Sequence, residues 1–261
     1  MNRDILIFCL LSLLLIGTSF TQAQPKNIVI SDDLAATAEV FKMIVTNPKL
    51  KFGDYAVLKS KIGWAVTSER TNLLNTKTES KSENKYSFVL SNKTSDSAIV
   101  NAMCNVTIKE HYAFKLFSSD RYTFYLGDDD LLMNSHIVTS FITTSSNNND
   151  MWVLRMEETS GSQVKYKNGG VFGNGERIIN IIPVSSNKYG NDSRKYPALG
   201  FEFIENGQSL CALQYWGGGL TGFNNVFVWI KSDLEPRMKL ILAAGIASLM
   251  QTTSACEDPD F

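Results

Sequence analysis

Two short loops hold the first candidates for chemistry, one of them carboxylate-rich and the other glycine-rich. Gly127–Asp130 reads Gly-Asp-Asp-Asp, and clustered carboxylates are suitable ligands for a hard cation such as Ca²⁺. The segment lacks the spacing and the distant glutamate of an EF-hand loop, so we interpret it as a turn. Gly169–Gly175 is glycine-rich but precedes a strand-like run, whereas a phosphate site needs a helix N-terminus there. We therefore expect a turn in this segment as well, and neither a metal nor a cofactor.

Nucleophilic catalysis is also poorly supported by the sequence. The cysteines beyond the N-terminal region are Cys104, Cys211 and Cys256, and the histidines are His111 and His136. A catalytic thiol needs a histidine beside it, but Cys104 and Cys211 lie in apolar strand-like patterns that are typical of a buried thiol or of one disulfide bridge. The chain has no Gly-x-Ser-x-Gly nucleophile motif. We expect no catalytic residue, with a hydrolase of unknown substrate as the alternative.

Two pairs of carboxylates are also candidates for acid–base catalysis. Glu157 and Glu158 are adjacent, and Glu202 and Glu205 are three residues apart. Acid–base catalysis needs carboxylates that face each other across a substrate. Neither spacing establishes such geometry, so neither pair is assigned a role.

One loop has the composition of a ligand-contacting segment. It reads Trp-Gly-Gly-Gly-Leu-Thr-Gly-Phe from Trp216 to Phe223, combining aromatic side chains with backbone freedom. We take Trp216 and Phe223 as candidates for contacting a ligand such as a glycan. The alternative is a wide turn that leads into the last strand.

Charge and composition exclude one class of partner. The 261 residues carry a formal net charge of -1, which gives no sign of a nucleic-acid-binding protein. The lysines are scattered along the chain, and their densest stretch, Lys77–Lys85, alternates with Glu79 and Glu83. We interpret that stretch as a solvated loop and expect no basic patch.

The N-terminus is typical of an exported protein. Arg3 precedes the apolar run Ile5–Gly17, and Thr21 and Ala23 occupy the small-residue positions of a cleavage site. We predict a signal peptide over residues 1–23, cleavage after Ala23, and a secreted or periplasmic mature protein. An uncleaved N-terminal anchor is the alternative, although the apolar run is short for a membrane span.

The mature chain reads as one mainly β domain over residues 24–261. Ser31, two carboxylates and helically spaced apolar residues predict a short N-terminal helix over residues 31–46. From Lys51 onward, β-type runs alternate with turn residues, and Asn206-Gly207 is a type I′ turn dipeptide between two such runs. Roughly a dozen strands at this spacing predict a barrel or a large sandwich.

The C-terminal segment decides between these architectures. A helix is predicted over residues 234–250, with Pro236 in its first turn, and Leu240–Met250 carries no charged residue. An all-round apolar helix is buried in a core or a bilayer, and this one is too short to span a bilayer. We therefore expect a closed antiparallel barrel of about twelve strands around this helix, whose core residues are Leu240, Ile241, Leu242, Gly245, Ile246 and Leu249.

The order of elements from Gly200 to Met250 resembles the tubby-like superfamily, which includes the tubby C-terminal domain, the phospholipid scramblases and the LURP-one-related proteins. The resemblance rests on GFEFIENGQSLCALQYWGGG, followed by VFVWIKSDLEPRMKLILAAGIASLM. It implies a twelve-stranded barrel around a central helix, with membrane or phosphoinositide association as a family theme. This chain departs from the family in being exported and in lacking a matching Lys/Arg cluster, so no functional residue is carried over.

These observations favour an exported, non-enzymatic, monomeric barrel that binds a lipid, a glycan or a protein. The mature chain contains no segment that we interpret as a transmembrane helix.

Overall fold

The computed structural model describes residues 27–256 except 47–48, 64, 73–76, 94–95, 112–113, 119–122, 127–129, 161–166, 187–196 and 219–224. Within these residues the secondary structure is dominated by strands. The helices are α1 (Asp32–Thr37) and α2 (Pro236–Cys256). The strands are β1 (Ala38–Lys42), β2 (Ile44–Thr46), β3 (Lys49–Phe52), β4 (Tyr55–Ile62), β5 (Val66–Thr71), β6 (Lys77–Ser91), β7 (Ser97–His111), β8 (Phe114–Ser118), β9 (Thr123–Leu126), β10 (Asp130–Thr144), β11 (Asn147–Ser160), β12 (Lys167–Gly173), β13 (Ile178–Ser185), β14 (Leu199–Glu205), β15 (Gln208–Trp216) and β16 (Phe227–Lys231).

The strands form a nearly closed antiparallel barrel. Among the described residues, thirteen strands follow one another in the order β1-β16-β15-β14-β13-β12-β11-β10-β7-β6-β4-β3-β2. Strand β5 pairs with β6 outside this path, and β8 pairs with β9 in a separate hairpin. The prediction of a mainly β, antiparallel barrel is confirmed, with thirteen strands in place of about twelve.

The two ends of the sheet are joined through a single residue. Strand β1 pairs with β16 and strand β2 pairs with β3, and only Met43 lies between β1 and β2. The Met43 side chain is buried, and its backbone N–H donates to the carbonyl of Val226 at 2.9 Å. One continuous stretch of chain therefore crosses from one edge of the sheet to the other and leaves little edge exposed.

The strands alternate between an inner and an outer face, as the pleat of a sheet requires. In β7, for example, Ala98, Val100, Ala102 and Cys104 are buried, whereas the residues between them are more exposed. The inward residues belong to one large apolar cluster that also includes the buried residues of α2. The main core therefore combines the inner face of the sheet with the C-terminal helix.

Helix α2 is buried over more than two turns. Every residue from Leu240 to Ser248 is buried, and Leu249 and Met250 are partly buried. Ser248 is the polar residue in this stretch, and its hydroxyl is hydrogen-bonded to the sheet. Its Oγ lies 2.5 Å from Ser140 Oγ and 3.1 Å from Tyr86 Oη. The predicted bounds of 234–250 need correction, since the helix begins at Pro236 and continues to Cys256.

The prediction of an N-terminal helix over residues 31–46 was wrong beyond its first turns. Helix α1 ends at Thr37, and Ala38–Lys42 pairs with β16 instead. Ser31 makes no side-chain capping bond. The apolar residues that suggested helical spacing are β-branched or aromatic in part, and pairing with the sheet overrides their weak helical preference.

Two predicted loops are strands. Lys77–Lys85, interpreted as a solvated loop, lies in β6 and pairs along its whole length with β7. Gly169–Gly173, interpreted as a turn, belongs to β12. A Cβ atom on Gly170 would lie 2.3 Å from the carbonyl oxygen of Arg155, so this glycine permits close strand packing. The Asn206-Gly207 turn is confirmed, with φ angles of 51° and 80° between β14 and β15.

A second, smaller apolar cluster lies on the outer face of the sheet. Ile28 and Leu34 pack there with Ala198, Ala212 and Trp229. Two buried polar side chains hold the same segment: the N–H of Ile28 donates to Gln214 Oε1 at 2.9 Å, and the N–H of Ser31 donates to Glu202 Oε1 at 3.0 Å. The N-terminal segment is thus fixed against the outside of the barrel.

We predict that Gly245→Leu destabilises the protein by about 1–3 kcal/mol through overpacking. A Cβ atom at this position would already lie 3.1 Å from Phe172 Cε1 and 3.3 Å from Leu154 Cδ1. Gly245→Ala is the matched control, and we expect it to cost much less because the gain of up to about 1 kcal/mol in helix propensity offsets the tight contact. Urea denaturation measures both, and equal midpoints for Gly245→Leu and the wild type would contradict the prediction.

Candidate binding site on the outer wall

Five lysines form a basic strip on the outer wall of β1–β4. We define the strip as Lys42, Lys49, Lys51, Lys59 and Lys61, all of which are exposed. Lys49 and Lys51 alternate with buried Leu50 and Phe52 in β3. The register places Lys51 opposite Ile44 and Ala56, which links the strip across three strands.

A β-bulge directs the last two lysines of the strip outward. Tyr55 and Val57 of β4 point toward the core, so simple alternation would place Lys59 and Lys61 on the inner face as well. The register between β4 and β6 shifts between Val57 and Lys59, which leaves Leu58 as the extra residue of a bulge. Beyond it, Lys61 pairs with Ser87, on the same outer face as Lys59.

The basic strip is not neutralised by nearby carboxylates. Residues 38–63 contain only two acidic residues, Glu39 and Asp54. Both are already paired, Glu39 with Lys239 at 2.8 Å and Asp54 with Lys93 at 2.5 Å. Among the described residues, none of the five strip lysines forms an ion pair. The strip therefore carries an uncompensated positive charge, and the expectation of no basic patch was wrong.

Apolar side chains are exposed between these lysines. Leu58 is 64% exposed, Ile44 is 59% exposed, and Val40 is 55% exposed. Exposed apolar residues that are rimmed by charges are characteristic of interaction surfaces. The outer wall here offers both positive charge and apolar contact.

An open groove of about 290 Å³ lies beside the strip, and we call it the outer groove. One cross-strand row forms its length: Lys61 pairs with Ser87, Ser87 with Asn101, and Asn101 with Phe141. The adjacent row pairs Lys85 with Met103. The groove exists because the short Ser87 and Asn101 side chains lie between larger ones.

Gly63 forms the end wall of the outer groove. Its N–H donates to the carbonyl of Lys85 at 2.6 Å, and a Cβ atom at Gly63 would lie 3.0 Å from the same oxygen. The absence of a side chain lets the chain approach β6 this closely. Lys85 is paired with Glu83 at 2.8 Å, whereas Lys61 has no ion pair among the described residues.

A second charged cluster lies at the start of α2, and its charges are compensated internally. Asp150 Oδ2 accepts from Arg237 Nη2 at 2.5 Å and from Trp152 Nε1 at 3.1 Å, and Asp150 Oδ1 accepts from Asn174 Nδ2 at 2.7 Å. Arg177 forms a bidentate ion pair with Glu205. Its guanidinium carbon lies 5.7 Å from the centroid of the Trp152 ring. This cluster fastens the first turn of the helix to the sheet.

The hydrogen bonds also set the titration of Asp150. Burial alone would raise the pKa of this carboxyl, but the hydrogen bonds from Asn174 and Trp152 and the charge of Arg237 together outweigh burial. The pKa of Asp150 is therefore held below its ordinary value.

The aromatic loop predicted to bind a ligand is described only in part. Trp216 ends β15 and is 44% exposed. Phe223 and the segment Gly127–Asp129 lie outside the described residues, so the ligand-binding and cation interpretations stay predictions.

In each pair, the two carboxylates are separated in the structure. Glu157 and Glu158 are consecutive in β11 and project to opposite faces of the sheet. Glu202 accepts from Ser31, and Glu205 pairs with Arg177. Glu157 accepts from Thr159 Oγ1 at 3.4 Å, and Glu158 lies opposite His136 in the β10–β11 register.

Cys104 and Cys211 differ in their oxidation state. Cys104 is disulfide-bonded, whereas Cys211 is free and fully buried. Burial raises the pKa of the Cys211 thiol well above its ordinary value, and the negative charge of Glu202 adds to the effect. The side chain of Cys256 lies outside the described residues. In the part of the chain that is described, no three His, Cys, Asp or Glu residues are placed to hold a metal ion.

The comparisons with known proteins return nothing that resembles this chain. No protein-family model matches it, and no match is found among curated proteins or solved structures. In the described part of the chain, no helix has the length and apolar character needed to cross a bilayer. Function therefore has to be argued from the site itself.

The sequence carries a signal for the basic strip, although its lysines are scattered along the chain. Lysines recur at every second position in Lys49-Leu-Lys51 and Lys59-Ser-Lys61, and this period places them on one face of a strand. Pairing of β2, β3 and β4 then collects them on one wall, which a search for clustered charges along the chain does not detect.

We predict that Asp150→Asn flattens the acid dependence of stability. Because the pKa of Asp150 is lowered in the folded state, its contribution is complete above the unfolded value of about 3.9 and is lost as pH falls through the lower folded value. The variant should be less stable than the wild type at neutral pH, with a smaller loss on acidification. Urea midpoints across this range, with exposed Glu176→Gln as the control, measure the effect. Parallel curves for Asp150→Asn and the wild type would rule it out.

We predict that Cys211 does not react with iodoacetamide in the folded protein at about pH 8, because its thiol is buried and protonated. Cys104, which is buried and disulfide-bonded, should react only after both reduction and unfolding. Mass spectrometry before and after unfolding measures both, and Thr71→Cys, at an exposed position of β5, supplies a reactive control. Rapid labelling of Cys211 in the folded protein would show that the thiol is accessible.

Proposed function

We propose that this protein is an exported, non-enzymatic binding module whose basic strip associates with an anionic lipid surface. The observation that carries the proposal is the set of five exposed strip lysines without ion pairs among the described residues. A positive surface with apolar residues between its charges suits a layer of anionic headgroups over hydrocarbon.

Export is supported by the oxidation state of Cys104. Disulfides persist in secreted and periplasmic proteins and are rare in reducing compartments, and Cys104 is disulfide-bonded. This agrees with the signal-peptide pattern of residues 1–23, from which we infer a secreted or periplasmic protein. We further propose, as a separate assumption, that it acts as a monomer.

The apolar residues favour a lipid surface over a purely polyanionic partner such as a sulfated glycan. Leu58, Ile44 and Val40 are each more than half exposed among the lysines. A glycan would use the charges alone, whereas a membrane interface also gains from the burial of these side chains. The electrostatic part amounts to about 1 kcal/mol per lysine near an anionic bilayer.

We further propose that α2 runs through the centre of the barrel, as the resemblance to the tubby-like superfamily implies. Its contacts support this placement, because Gly245 faces Phe172 of β12 and Leu154 of β11, and Ser248 faces Tyr86 of β6 and Ser140 of β10. The helix also contacts β4, β7 and β15. With its interior filled in this way, the barrel would bind partners on its outer surface.

We predict that Lys49→Gln/Lys51→Gln weakens binding to vesicles containing phosphatidylglycerol roughly thirtyfold, since two lysines contribute about 2 kcal/mol. Co-sedimentation with vesicles at about 0.1 M salt measures this, and added salt should weaken the wild type because exposed charges are screened. Vesicles of phosphatidylcholine alone should bind poorly.

The matched control is Lys81→Gln/Lys109→Gln, which removes the same charge from lysines that pair with Glu79. Vesicle binding should change by no more than about twofold if only long-range charge is lost. Retention on heparin without vesicle binding would contradict the lipid surface and favour a glycan partner. Binding to neither would contradict the function of the strip.

A further inference from the structure

The outer groove combines a lysine with partly buried apolar side chains in an open space of about 290 Å³. We propose that it binds a small amphiphilic anion, a medium-chain carboxylate whose chain lies over Ser87 and Asn101 and whose carboxylate reaches Lys61. This inference deepens the proposed function and rests on it, because Lys61 belongs to both the basic strip and the outer groove.

The length of the groove is set by strand spacing. Its main row crosses β4, β6, β7 and β10 from Lys61 to Phe141, which spans three strand separations or about 14 Å. Its volume of about 290 Å³ corresponds to about ten water molecules at roughly 30 Å³ each. An eight-carbon carboxylate has a similar number of non-hydrogen atoms.

The two ends of the row differ in chemistry. Phe141 and the neighbouring Met103 supply apolar contact at one end, and both are partly buried by the sheet. Lys61 supplies a positive charge from β4, the other end of the row, where the backbone lies about 14 Å away across three strand separations. A ligand with an apolar tail and an anionic head matches this polarity, whereas a fully polar anion would leave Phe141 and Met103 without a partner.

The charges around the groove favour an anion. Glu83 is the carboxylate that pairs with Lys85, at 2.8 Å, so its charge is locally compensated. Lys61 and its strip neighbour Lys59 are exposed and form no ion pair among the described residues. A carboxylate at the Lys61 end would therefore meet a net positive field.

The probe is sodium octanoate, titrated into the whole mature protein and followed by backbone amide chemical shifts. We expect saturable shifts centred on the middle of β6, β7 and β10. Lys61→Gln and Phe141→Ala should each weaken the affinity several-fold. Ser87→Phe fills the groove without removing a core contact and should abolish the response. Val171→Ala, an exposed apolar position on β12, is the control and should bind octanoate like the wild type.

Two further ligands test the two parts of the site. Acetate should give no saturable response, because it lacks the chain, and 1-octanol should bind several-fold more weakly than octanoate, because it lacks the charge. Equal binding of octanol and octanoate would overturn the role of Lys61. Scattered, non-saturable shifts, or an unchanged response in Ser87→Phe, would overturn the groove as the site.

Vesicle binding separates this inference from the proposed function. Wild-type protein that binds phosphatidylglycerol vesicles but not octanoate would overturn the groove site alone. Protein that binds octanoate but not vesicles would overturn the lipid-surface function and leave the groove supported. Ser87→Phe should retain vesicle binding, since it changes neither a strip lysine nor the strip's exposed apolar residues.

Discussion

The structure depends on one constraint, which is that the C-terminal helix has no polar side to expose. From Leu240 to Ser248 every residue is buried, so apolar partners are needed in all directions. The inward residues of the sheet supply them and join the helix in a single apolar cluster. Full burial of each large apolar side chain contributes about 1.5–3 kcal/mol. The near closure of the sheet through Met43 leaves little of its inner, apolar face in water.

Burial alone does not fix how the helix is rotated or how deeply it lies, because the hydrophobic effect is non-directional. Polar contacts determine the rotation and depth of the helix at two positions along its length. Arg237 is held by Asp150 at the beginning of the helix, and Ser248 is held by Ser140 and Tyr86 more than two turns later. A different rotation would separate the buried hydroxyls of Ser248 and Ser140, and a buried polar group left without a partner costs about 1–3 kcal/mol. The small Gly245 beside Phe172 adds a steric constraint in between.

The outer surface is where the chain departs from a regular barrel, and these departures create the candidate site. A bulge at Leu58 changes which residues of β4 face outward, and it exposes Lys59 and Lys61 to solvent. Short side chains at Ser87 and Asn101 lower the surface between Lys61 and Phe141 and form the outer groove. Bulges recur beside functional sites, and exposed apolar residues rimmed by charges are characteristic of interaction surfaces.

The sequence by itself determined the features that depend on local pattern. The β-type runs, the Asn206-Gly207 turn and the apolar C-terminal helix were predictable because strand alternation, turn dipeptides and helical burial leave direct signals over a few residues. The tertiary structure decided what depends on pairing. Ala38–Lys42 became a strand because β16 lies beside it, and the charged Lys77–Lys85 became part of β6 because β7 satisfies its backbone. The basic strip depends on both local pattern and strand pairing. Alternation places Lys49 and Lys51 on one face of β3. The register of β2–β4 and the bulge at Leu58 then bring Lys59 and Lys61 beside them. Charges distant in sequence combine only when backbone hydrogen bonds fix which strands are neighbours, and that choice is not encoded in any one segment.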